Sequence, residues 1–223
     1  MHKLKKSKFL IIVPAFNELK SLKKFIKKLN NLVPVCVLDD CSKDDTSNWL
    51  KKNRINFIRN NKNLGYENNL INGIKKLKDN CEFIITFDGD NQHKISDLKK
   101  IIKMTNTYDV LICNRKNKNR TMEEFISILT FNLFGFKDPL SGLKVYKTKI
   151  IKKEYLKENH KLFMVDFLFA FKEKAKIINL EIKTRNRKDK PRVGNFIKVF
   201  FKEVLIFFYI FYKRLIVRRD SYM

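Results

Sequence analysis

Two aspartates one residue apart, Asp88 and Asp90, follow an apolar run in the stretch FDGDNQH (87–93). Side chains alternate along an extended backbone, so both carboxylates face the same side and can reach one hard cation. Mg²⁺ or Mn²⁺ is commonly held by one or two carboxylates together with substrate phosphates. The pattern therefore favours metal–diphosphate chemistry, although aspartates at this spacing also occur in solvated turns. Gln92 adds a polar group, and His93 is expected to be an ordinary surface histidine.

A second acidic cluster, VLDDCSKDDT (37–46), follows another apolar run. One interpretation is an Asp- and Ser-rich turn with a helix N-cap, which these residue types suit well. The other is a carboxylate that accepts hydrogen bonds from the N–H groups of a nucleobase. The composition of the segment does not choose between these two interpretations.

Short apolar runs alternate with segments of helical periodicity in the first half of the chain. The predicted strands are Lys8–Val13, Val33–Leu38, Ile55–Ile58, Phe83–Phe87 and Tyr108–Cys113. The predicted helices are Ser21–Asn30, Asp44–Lys52, Tyr66–Leu77 and Ser96–Met104, the last with Ser96 as its cap. This alternation predicts an α/β fold with a mostly parallel sheet flanked by helices, in which ligands bind beyond the carboxyl ends of the strands.

The second half of the chain is less regular. Its predicted elements are a helix at Glu123–Phe134, a turn region at Gly135–Gly142, a helix at Met164–Ala175, a strand at Ile177–Ile182 and a basic loop over 183–194. We expect two parts: a catalytic domain over residues 1–185, and a basic loop with an amphipathic helix over residues 186–223.

The C-terminal segment 195–217 has the pattern of a basic, aromatic-rich amphipathic helix. Its longest charge-free run, Val204–Tyr212, is shorter than the roughly 20 residues that a spanning helix needs. Such a helix suits the membrane interface, so we expect a peripheral, membrane-associated protein. Packing against the domain or against a second subunit is the alternative, which leaves a homo-oligomer open.

Composition limits the classes of partner. The 223 residues are 44% hydrophobic, enough for one domain with a core, and 49 basic against 23 acidic residues give a net charge of +26. Such an excess indicates an anionic partner, although a lysine-rich proteome would also produce it. No helix-turn-helix, zinc or ribonucleoprotein motif is visible, so nucleic acid is not expected. The four cysteines form no C-x-x-C pair and are expected to be free thiols.

Five motifs together resemble those of family 2 glycosyltransferases in order and spacing. They are IIVPAFNE (11–18), VLDDCSKDDT (37–46), NLGYENNLINGI (63–74), FDGDNQH (87–93) and DPLSGLKVY (138–146). They are most similar to the dolichyl-phosphate mannose synthase-like branch, the polyprenyl-phosphate glycosyltransferases, and the resemblance covers roughly residues 8–194. It implies a glycosyltransferase A-type, Rossmann-like fold, a UDP- or GDP-linked sugar donor, Mg²⁺ or Mn²⁺, and inversion at the anomeric carbon.

The acceptor that the resemblance implies is a polyprenyl (dolichyl or undecaprenyl) phosphate at the cytoplasmic face of a membrane. The alternative is a saccharide hydroxyl in cell-envelope polysaccharide synthesis. A phosphate monoester has a second pKa of about 6 and is already a nucleophile at neutral pH, so it needs no strong base. A hydroxyl acceptor would need one, and Asp166 is the candidate that the sequence offers, unless it is simply an acid on the exposed face of a helix.

The resemblance also implies roles for individual residues. Those matching nucleotide contacts are Pro14, Phe16, Asn17, Glu18, Leu38, Asp40, Asp88 and Gln92, with Phe16 where the family often has Tyr. Those matching the catalytic and metal positions are Asp88, Asp90 and Arg115. Those matching acceptor contacts are Ser141, Gly142, Arg187 and Arg192. The last two belong to RNRKDKPRVG (185–194), a degraded form of the family's R-x-x-G-x-S-K element.

Overall fold

The computed structural model describes residues 6–104, 107–116, 121–157, 162–172, 174–185 and 203–213. The strands among them are β1 (Ser7–Ala15), β2 (Val35–Asp39), β3 (Asn56–Arg59), β4 (Cys81–Thr86), β5 (Val110–Arg115), β6 (Lys144–Lys147) and β7 (Ile177–Ile182). The α-helices are α1 (Leu19–Asn30), α2 (Thr46–Lys52), α3 (Tyr66–Leu77), α4 (Ile95–Lys103), α5 (Thr121–Phe134) and α6 (Phe163–Phe169). Residues 203–213 form a further helix, called the C-terminal helix below.

The strands form one sheet in the order β3-β2-β1-β4-β6-β5-β7. Strand β6 is antiparallel to both of its neighbours, β4 and β5, and the other neighbouring pairs are parallel. The prediction of a mostly parallel sheet flanked by helices is therefore confirmed. The sequence analysis missed β6, because its four residues directly follow a Gly/Pro turn region and offer little periodicity.

Each face of the sheet is covered by its own apolar layer, as the alternation of side chains along a strand requires. In β1, Leu10 and Ile12 join one layer, which also contains the buried faces of α3, α6 and the C-terminal helix. Ile11 and Val13 join the other layer, together with the buried faces of α1 and α4. The expectation of free thiols is also confirmed, and Cys36, Cys81 and Cys113 are buried.

Several helix boundaries differ from the prediction; helices α1, α2 and α5, for example, begin at Leu19, Thr46 and Thr121. Helix α4 begins at Ile95 with Lys94 in the cap position, so the assignment of Ser96 as the cap was wrong. Helix α6 ends at Phe169 rather than near Ala175. Beyond it the chain continues in turns, in which Phe171 N–H donates to the Leu168 carbonyl at 3.2 Å. These turns keep a spacing of apolar residues close to that of a helix, which explains the longer prediction.

The C-terminal helix packs on the domain through one face. Ile206 and Ile210 are buried in the same apolar layer as α6. The Tyr209 hydroxyl donates to Asp166, and the Lys213 ammonium lies 3.6 Å from the same carboxylate. Packing on the domain, one of the two expectations for this segment, therefore holds for the described part. The rest of the predicted helix lies outside the described residues, and the boundary after residue 185 stays a prediction.

Within the described part of the chain, no helix has the length and apolar character needed to cross a bilayer.

Candidate active site

The candidate site lies along the edge of the sheet where the parallel strands end. Strands β2, β1 and β4 are neighbours, so the loops that follow them meet at this edge. Because β6 runs in the opposite direction, its beginning lies at this edge, and it brings the preceding loop 138–143 next to the end of β4. Four predicted motifs, distant in the sequence, are adjacent for this reason: 11–18, 37–46, 87–93 and 138–146.

Asp88 is the most constrained carboxylate of the site. Its Oδ1 accepts a hydrogen bond from the Tyr66 hydroxyl, and its Oδ2 lies 3.1 Å from Nε2 of His93. Because an ionised carboxylate can only accept, Nε2 must be the donor. Burial raises the pKa of Asp88, but the hydrogen bond and charge of His93, the charge of Arg115 and the Tyr66 hydroxyl together lower it below its usual range. Asp88 is therefore an anion throughout the neutral range.

His93 was expected at the surface, and the structure shows the opposite. The residue is 2% exposed, and its ring packs edge-on against Phe87, with 5.4 Å between ring centroids. None of the described residues provides a hydrogen-bond partner for its Nδ1 atom. The ring therefore has one polar contact here, with Asp88, which makes it a positioning residue for that carboxylate. Its place in a short loop after a buried strand was the signal that the sequence offered.

Gly142 matches the acceptor-side motif, and in the structure it lies directly beneath the Asp88 carboxylate. A Cβ atom at position 142 would be 2.0 Å from both Asp88 oxygens, a distance that no side chain can occupy. The residue has no side chain because the carboxylate fills that space. Ser141, also predicted on the acceptor side, is fully buried, and its hydroxyl accepts a hydrogen bond from Leu143 N–H.

Asp90 and Gln92 lie in the turn that follows Asp88. The Asp90 carboxylate accepts the Gln92 N–H at 3.1 Å, and Asn91 between them has a φ of +63°. Arg185 holds this turn from the outside, since its N–H donates to the Gln92 carbonyl and its guanidinium to the Asn91 side chain, both at 2.9 Å. The described beginning of the basic segment, up to Arg185, is thus attached to the turn that follows Asp88 and carries Asp90.

The first loop, at the end of β1, is partly exposed and is tied to neighbouring loops. Pro14 belongs to β1, and its carbonyl would be 2.9 Å from a Cβ atom at Gly89, so the loop carrying Asp88 approaches it closely. Asn17, with a φ of +54°, accepts the Lys43 N–H through its side chain at 2.7 Å. Phe16 is 39% exposed, and Glu18 is the residue before α1.

The two aspartates at the end of β2 hold neighbouring loops. Asp39 is fully buried and accepts from Ser42 N–H, the Ser47 hydroxyl and the Arg59 guanidinium. Asp40 is 3% exposed and accepts from the Asn60 side chain and from the N–H groups of Leu64 and Gly65, each at 2.8 Å. The structure therefore gives both carboxylates a role in turn formation, and a contact of Asp40 with a base stays a prediction.

Leu38, predicted beside the base, has its side chain in the core. It is 1% exposed, and its Cδ1 atom would lie 2.3 Å from a Cβ atom at position 73, which explains the glycine there. The side chain packs against α3 at Gly73, and a place for Leu38 beside the base stays a prediction.

Arg115 is part of a buried ion cluster behind the site. Its guanidinium binds Asp138 in a bidentate manner, at 2.8 and 2.9 Å, and lies 3.1 Å from Glu123 of α5. Burial raises the pKa of Asp138, but the hydrogen bonds and charge of Arg115 lower it below its usual range. The sequence analysis missed Asp138 and Glu123, and only the fold places them against Arg115. Arg187 and Arg192 lie outside the described residues.

Lys144, the first residue of β6, is a buried cation like Arg115. The sequence analysis did not identify it. It is fully buried, and its ammonium donates to the Ser141 carbonyl. Burial lowers its pKa to about 8, against the raising effects of Asp138 and Asp88. The ammonium therefore stabilises the 138–142 loop through this hydrogen bond.

The donor set at the site fits a divalent cation shared with a substrate. Asp88 and Asp90 have carboxylate oxygens of the kind that hard cations prefer, and the Asp88 side chain is 26% exposed. Among the described residues, no group of three His, Cys, Asp or Glu side chains is arranged to hold a metal ion. A cation bound by two carboxylates takes its remaining ligands from water and substrate phosphates, as Mg²⁺ does in proteins.

Comparisons with known proteins agree with this geometry. The sequence model of a family described as "Glycosyl transferase family 2" matches residues 10–220. One relative is a UDP-N-acetylglucosamine–dolichyl-phosphate N-acetylglucosaminyltransferase of Methanococcus voltae, 26% identical over 245 aligned positions that cover 93% of this chain and 95% of the relative. Another is an undecaprenyl-phosphate mannosyltransferase of Micrococcus luteus, 26% identical over 116 positions that cover 48% of each chain.

A solved structure shows the same fold. Glucosyl-3-phosphoglycerate synthase of Mycobacterium tuberculosis, in a complex with Mn²⁺, UDP and glucosyl-3-phosphoglycerate, superimposes with a TM-score of 0.72 at 14% identity. The match covers 93% of this chain and 79% of that chain. The glycosyltransferase A-type fold expected from the motifs is thereby confirmed.

Proposed function

Because the chain belongs to glycosyl transferase family 2 and is a glycosyltransferase, we propose that it moves a sugar from a nucleotide donor to a polyprenyl phosphate, with inversion at the anomeric carbon. The observation that supports this most directly is the environment of Asp88. An ionised carboxylate, held by Tyr66 and His93 and backed by Gly142, lies where the loops of β1, β4 and β6 meet. Ligands of open α/β sheets bind beyond the carboxyl ends of the strands, which supports a diphosphate of a nucleotide sugar at this position.

Donor binding would use Asp88 and Asp90 to hold Mg²⁺ or Mn²⁺ together with the diphosphate. When bound, the cation supplies Lewis-acid stabilisation of the departing nucleotide. The first loop would contact the nucleotide through Pro14, Phe16 and Asn17, with the exposed Phe16 ring offering an apolar surface. A UDP-linked sugar is the first donor to test, because the names of a relative and of a solved structure both include UDP.

The acceptor proposal rests on the chemistry of the nucleophile. A polyprenyl phosphate is mostly a dianion at neutral pH, so the protein has only to align it with the anomeric carbon and to balance charge. Lys144 is a buried cation behind the site, whereas the charge of Arg115 is balanced there by Asp138 and Glu123. Both relatives named above carry a polyprenyl-phosphate acceptor in their names.

Transfer to a saccharide hydroxyl is less well supported. It requires a general base, for which the sequence offered Asp166. That carboxylate accepts a hydrogen bond from Tyr209 and pairs with Lys213, so it attaches the C-terminal helix to the domain.

We also propose that the protein acts at the cytoplasmic face of a membrane as a peripheral protein. A polyprenyl phosphate keeps its tail in the bilayer and its phosphate at the interface, so the enzyme must reach that interface. The net charge of +26 favours an anionic lipid surface.

The test is a transfer screen with the purified full-length chain. UDP- and GDP-linked sugars are supplied with a short water-soluble polyprenyl phosphate, a simple saccharide or no acceptor, each with Mn²⁺, Mg²⁺ or EDTA. We expect transfer to the polyprenyl phosphate with one nucleotide class and loss of transfer in EDTA. Transfer to the saccharide alone, or none to the lipid phosphate with any donor, would overturn the proposal.

A further inference from the structure

The outer face of α5 exposes three large apolar side chains. Phe125 is 53% exposed, Ile128 55% and Phe131 44%, and their spacing of three places them along one side of the helix. The opposite side, with Ile126, is buried in the core. Polar residues occur on the outer arc near the ends of the helix, Glu124 at the start and Asn132 near the end. A helix on the surface of a soluble domain normally presents a polar face to water.

The C-terminal helix has the same character on its outer side. Leu205 is 61% exposed, Phe208 64%, Phe211 44% and Tyr212 57%. Its inner side is fully used, because Ile206 and Ile210 pack into the core and Tyr209 binds Asp166. The exposed side chains are therefore not needed for attaching the helix to the domain.

The two exposed faces form one surface. Phe207 of the C-terminal helix stacks on Phe125 of α5, with 5.5 Å between ring centroids and 28° between ring planes. Phe207 also contacts Phe211, at 5.0 Å. We call the combined set the aromatic surface; it consists of Phe125, Ile128, Phe131, Leu205, Phe207, Phe208, Phe211 and Tyr212. Contiguous apolar patches of this kind mark interaction sites.

A cation contacts the aromatic surface directly, since the Lys137 ammonium lies 4.7 Å from the centroid of the Phe131 ring. Lys172 and Lys213 lie 4.9 and 5.3 Å from the rings of Phe134 and Tyr209, which belong to the same two helices but not to the surface. Aromatic rings bordered by lysines match the chemistry of an anionic bilayer, where rings enter the headgroup region and ammonium groups meet lipid phosphates. A second copy would instead bring two chains of charge +26 together.

We propose that the aromatic surface, with α5 as an essential half, is the face by which the protein lies on an anionic lipid bilayer. The proposal rests on the proposed lipid-phosphate acceptor, and it adds α5, which the sequence pattern did not associate with a membrane. Helix α5 also carries Glu123, which binds Arg115. Ile128 and Phe131 border a cavity of about 220 Å³ that is also lined by Arg115, Lys116 and Lys137. Glu181 lines the same cavity, so its charged lining is three basic residues and one acidic residue, and docking through this face would bring it near the interface.

The experiment is flotation of the full-length chain with vesicles of phosphatidylcholine, with or without phosphatidylglycerol. The α5 variant is F125S/I128S, and the C-terminal-helix variant is F208S/F211S. The matched control is L32S, since Leu32 is 47% exposed just after α1, whose buried face belongs to the other apolar layer. UDP affinity and urea unfolding of each variant report whether the donor site and the fold are intact.

We expect both surface variants to lose at least about tenfold in partition onto phosphatidylglycerol vesicles, since each removes two large apolar side chains from the contact. L32S should behave as the wild type. Wild-type flotation by F125S/I128S overturns the proposal. The proposal is also overturned if the wild-type protein does not bind vesicles and sediments as a dimer while F125S/I128S sediments as a monomer. If the flotation results hold but no polyprenyl phosphate accepts sugar, the bilayer face stands and the proposed function fails.

Discussion

At the scale of single residues, the two aspartates of the site, Asp88 and Asp90, are held by different kinds of contact. Asp88 is held by Tyr66, His93 and the space above Gly142, whereas Asp90 lies in the turn and accepts the Gln92 N–H. The first carboxylate is therefore fixed by tertiary contacts and the second mainly by its own turn. A cation shared between them would be located by Asp88 and completed by Asp90.

The first prediction concerns the metal. Asp90→Asn removes one anionic ligand but keeps the shape of the turn, so we expect transfer to fall at least about 100-fold, because a Lewis-acid cation supplies several kcal/mol. The matched control is Asp79→Asn, since the Asp79 side chain is 84% exposed and pairs only with Lys78 among the described ion pairs. Normal transfer by Asp90→Asn, together with resistance to EDTA, would contradict the metal assignment.

The second prediction concerns His93 as a positioning residue. His93→Ala leaves Asp88 with one hydrogen-bond donor fewer, so we expect Mn²⁺-dependent UDP binding to weaken about 10- to 100-fold, the usual cost of losing an outer partner of a metal ligand. His93→Gln can still donate to the carboxylate and should restore part of the affinity. Calorimetric titration of UDP with and without Mn²⁺ measures both. A lower melting temperature with unchanged Mn²⁺-dependent affinity would show that the ring only fills space.

At the scale of elements, β6 and the start of α3 assemble the site. Strand β6 enters the sheet between β4 and β5 in the antiparallel sense, which buries Lys144 and brings Gly142 to Asp88. Helix α3 begins at Tyr66, directly after the Gly65 N–H that Asp40 holds. The loop before β6 thus places Gly142 against Asp88, and the buried Lys144 fixes that loop. Helix α3 places the Tyr66 hydroxyl against Asp88, and the buried Asp40 fixes the start of that helix.

The third prediction is a pH effect from Lys144. Its pKa is about 8 in the fold and about 10.4 when unfolded, so the unfolded chain binds more protons between these values. Stability carried by this group therefore increases as the pH rises through that window. Relative to Lys144→Met, the wild type should gain about 2–3 kcal/mol between about pH 8 and pH 10. Urea unfolding of both proteins checks this, and a constant difference across the window would contradict it.

The fourth prediction concerns Asp40. Asp40→Ala removes the acceptor for three buried or half-buried donors, so we expect the free energy of unfolding to fall by about 2 kcal/mol, with weaker UDP binding as Tyr66 shifts. Asp40→Asn keeps one acceptor oxygen, so its free energy of unfolding should lie between those of the wild type and Asp40→Ala. Unfolding and UDP calorimetry are measured on both variants. Full stability with lost UDP affinity would instead support a direct contact between Asp40 and the base.

At the scale of the whole molecule, one helix has two tasks. The C-terminal helix completes the core with its inner face and, in our proposal, meets the bilayer with its outer face. Removing it would therefore change stability and membrane binding together. For this reason the aromatic surface is tested by side-chain substitutions in the full-length chain.

The fifth prediction follows from the inner face. A chain that ends at Gly194 loses Ile206 and Ile210 from the core, so we expect its free energy of unfolding to fall by about 3–6 kcal/mol. The F208S/F211S variant, which changes only exposed side chains, should keep wild-type stability. Urea unfolding without lipid separates the two. Equal stability of the shortened chain would show that the helix is not part of the fold.

The sequence by itself determined the α/β class, most strand and helix positions and the family. Period-two and helical spacing are local properties, and five ordered motifs are visible without a fold. Only the tertiary structure decided what surrounds Asp88, because Tyr66, His93 and Gly142 meet there through a sheet order and an antiparallel strand that local patterns do not encode. It also decided that Asp39, Asp40 and Asp166 are bound by other parts of the protein, and that α5 and the C-terminal helix share one exposed face. Burial and pairing depend on contacts between distant residues, and a single sequence specifies those contacts only through the folded chain.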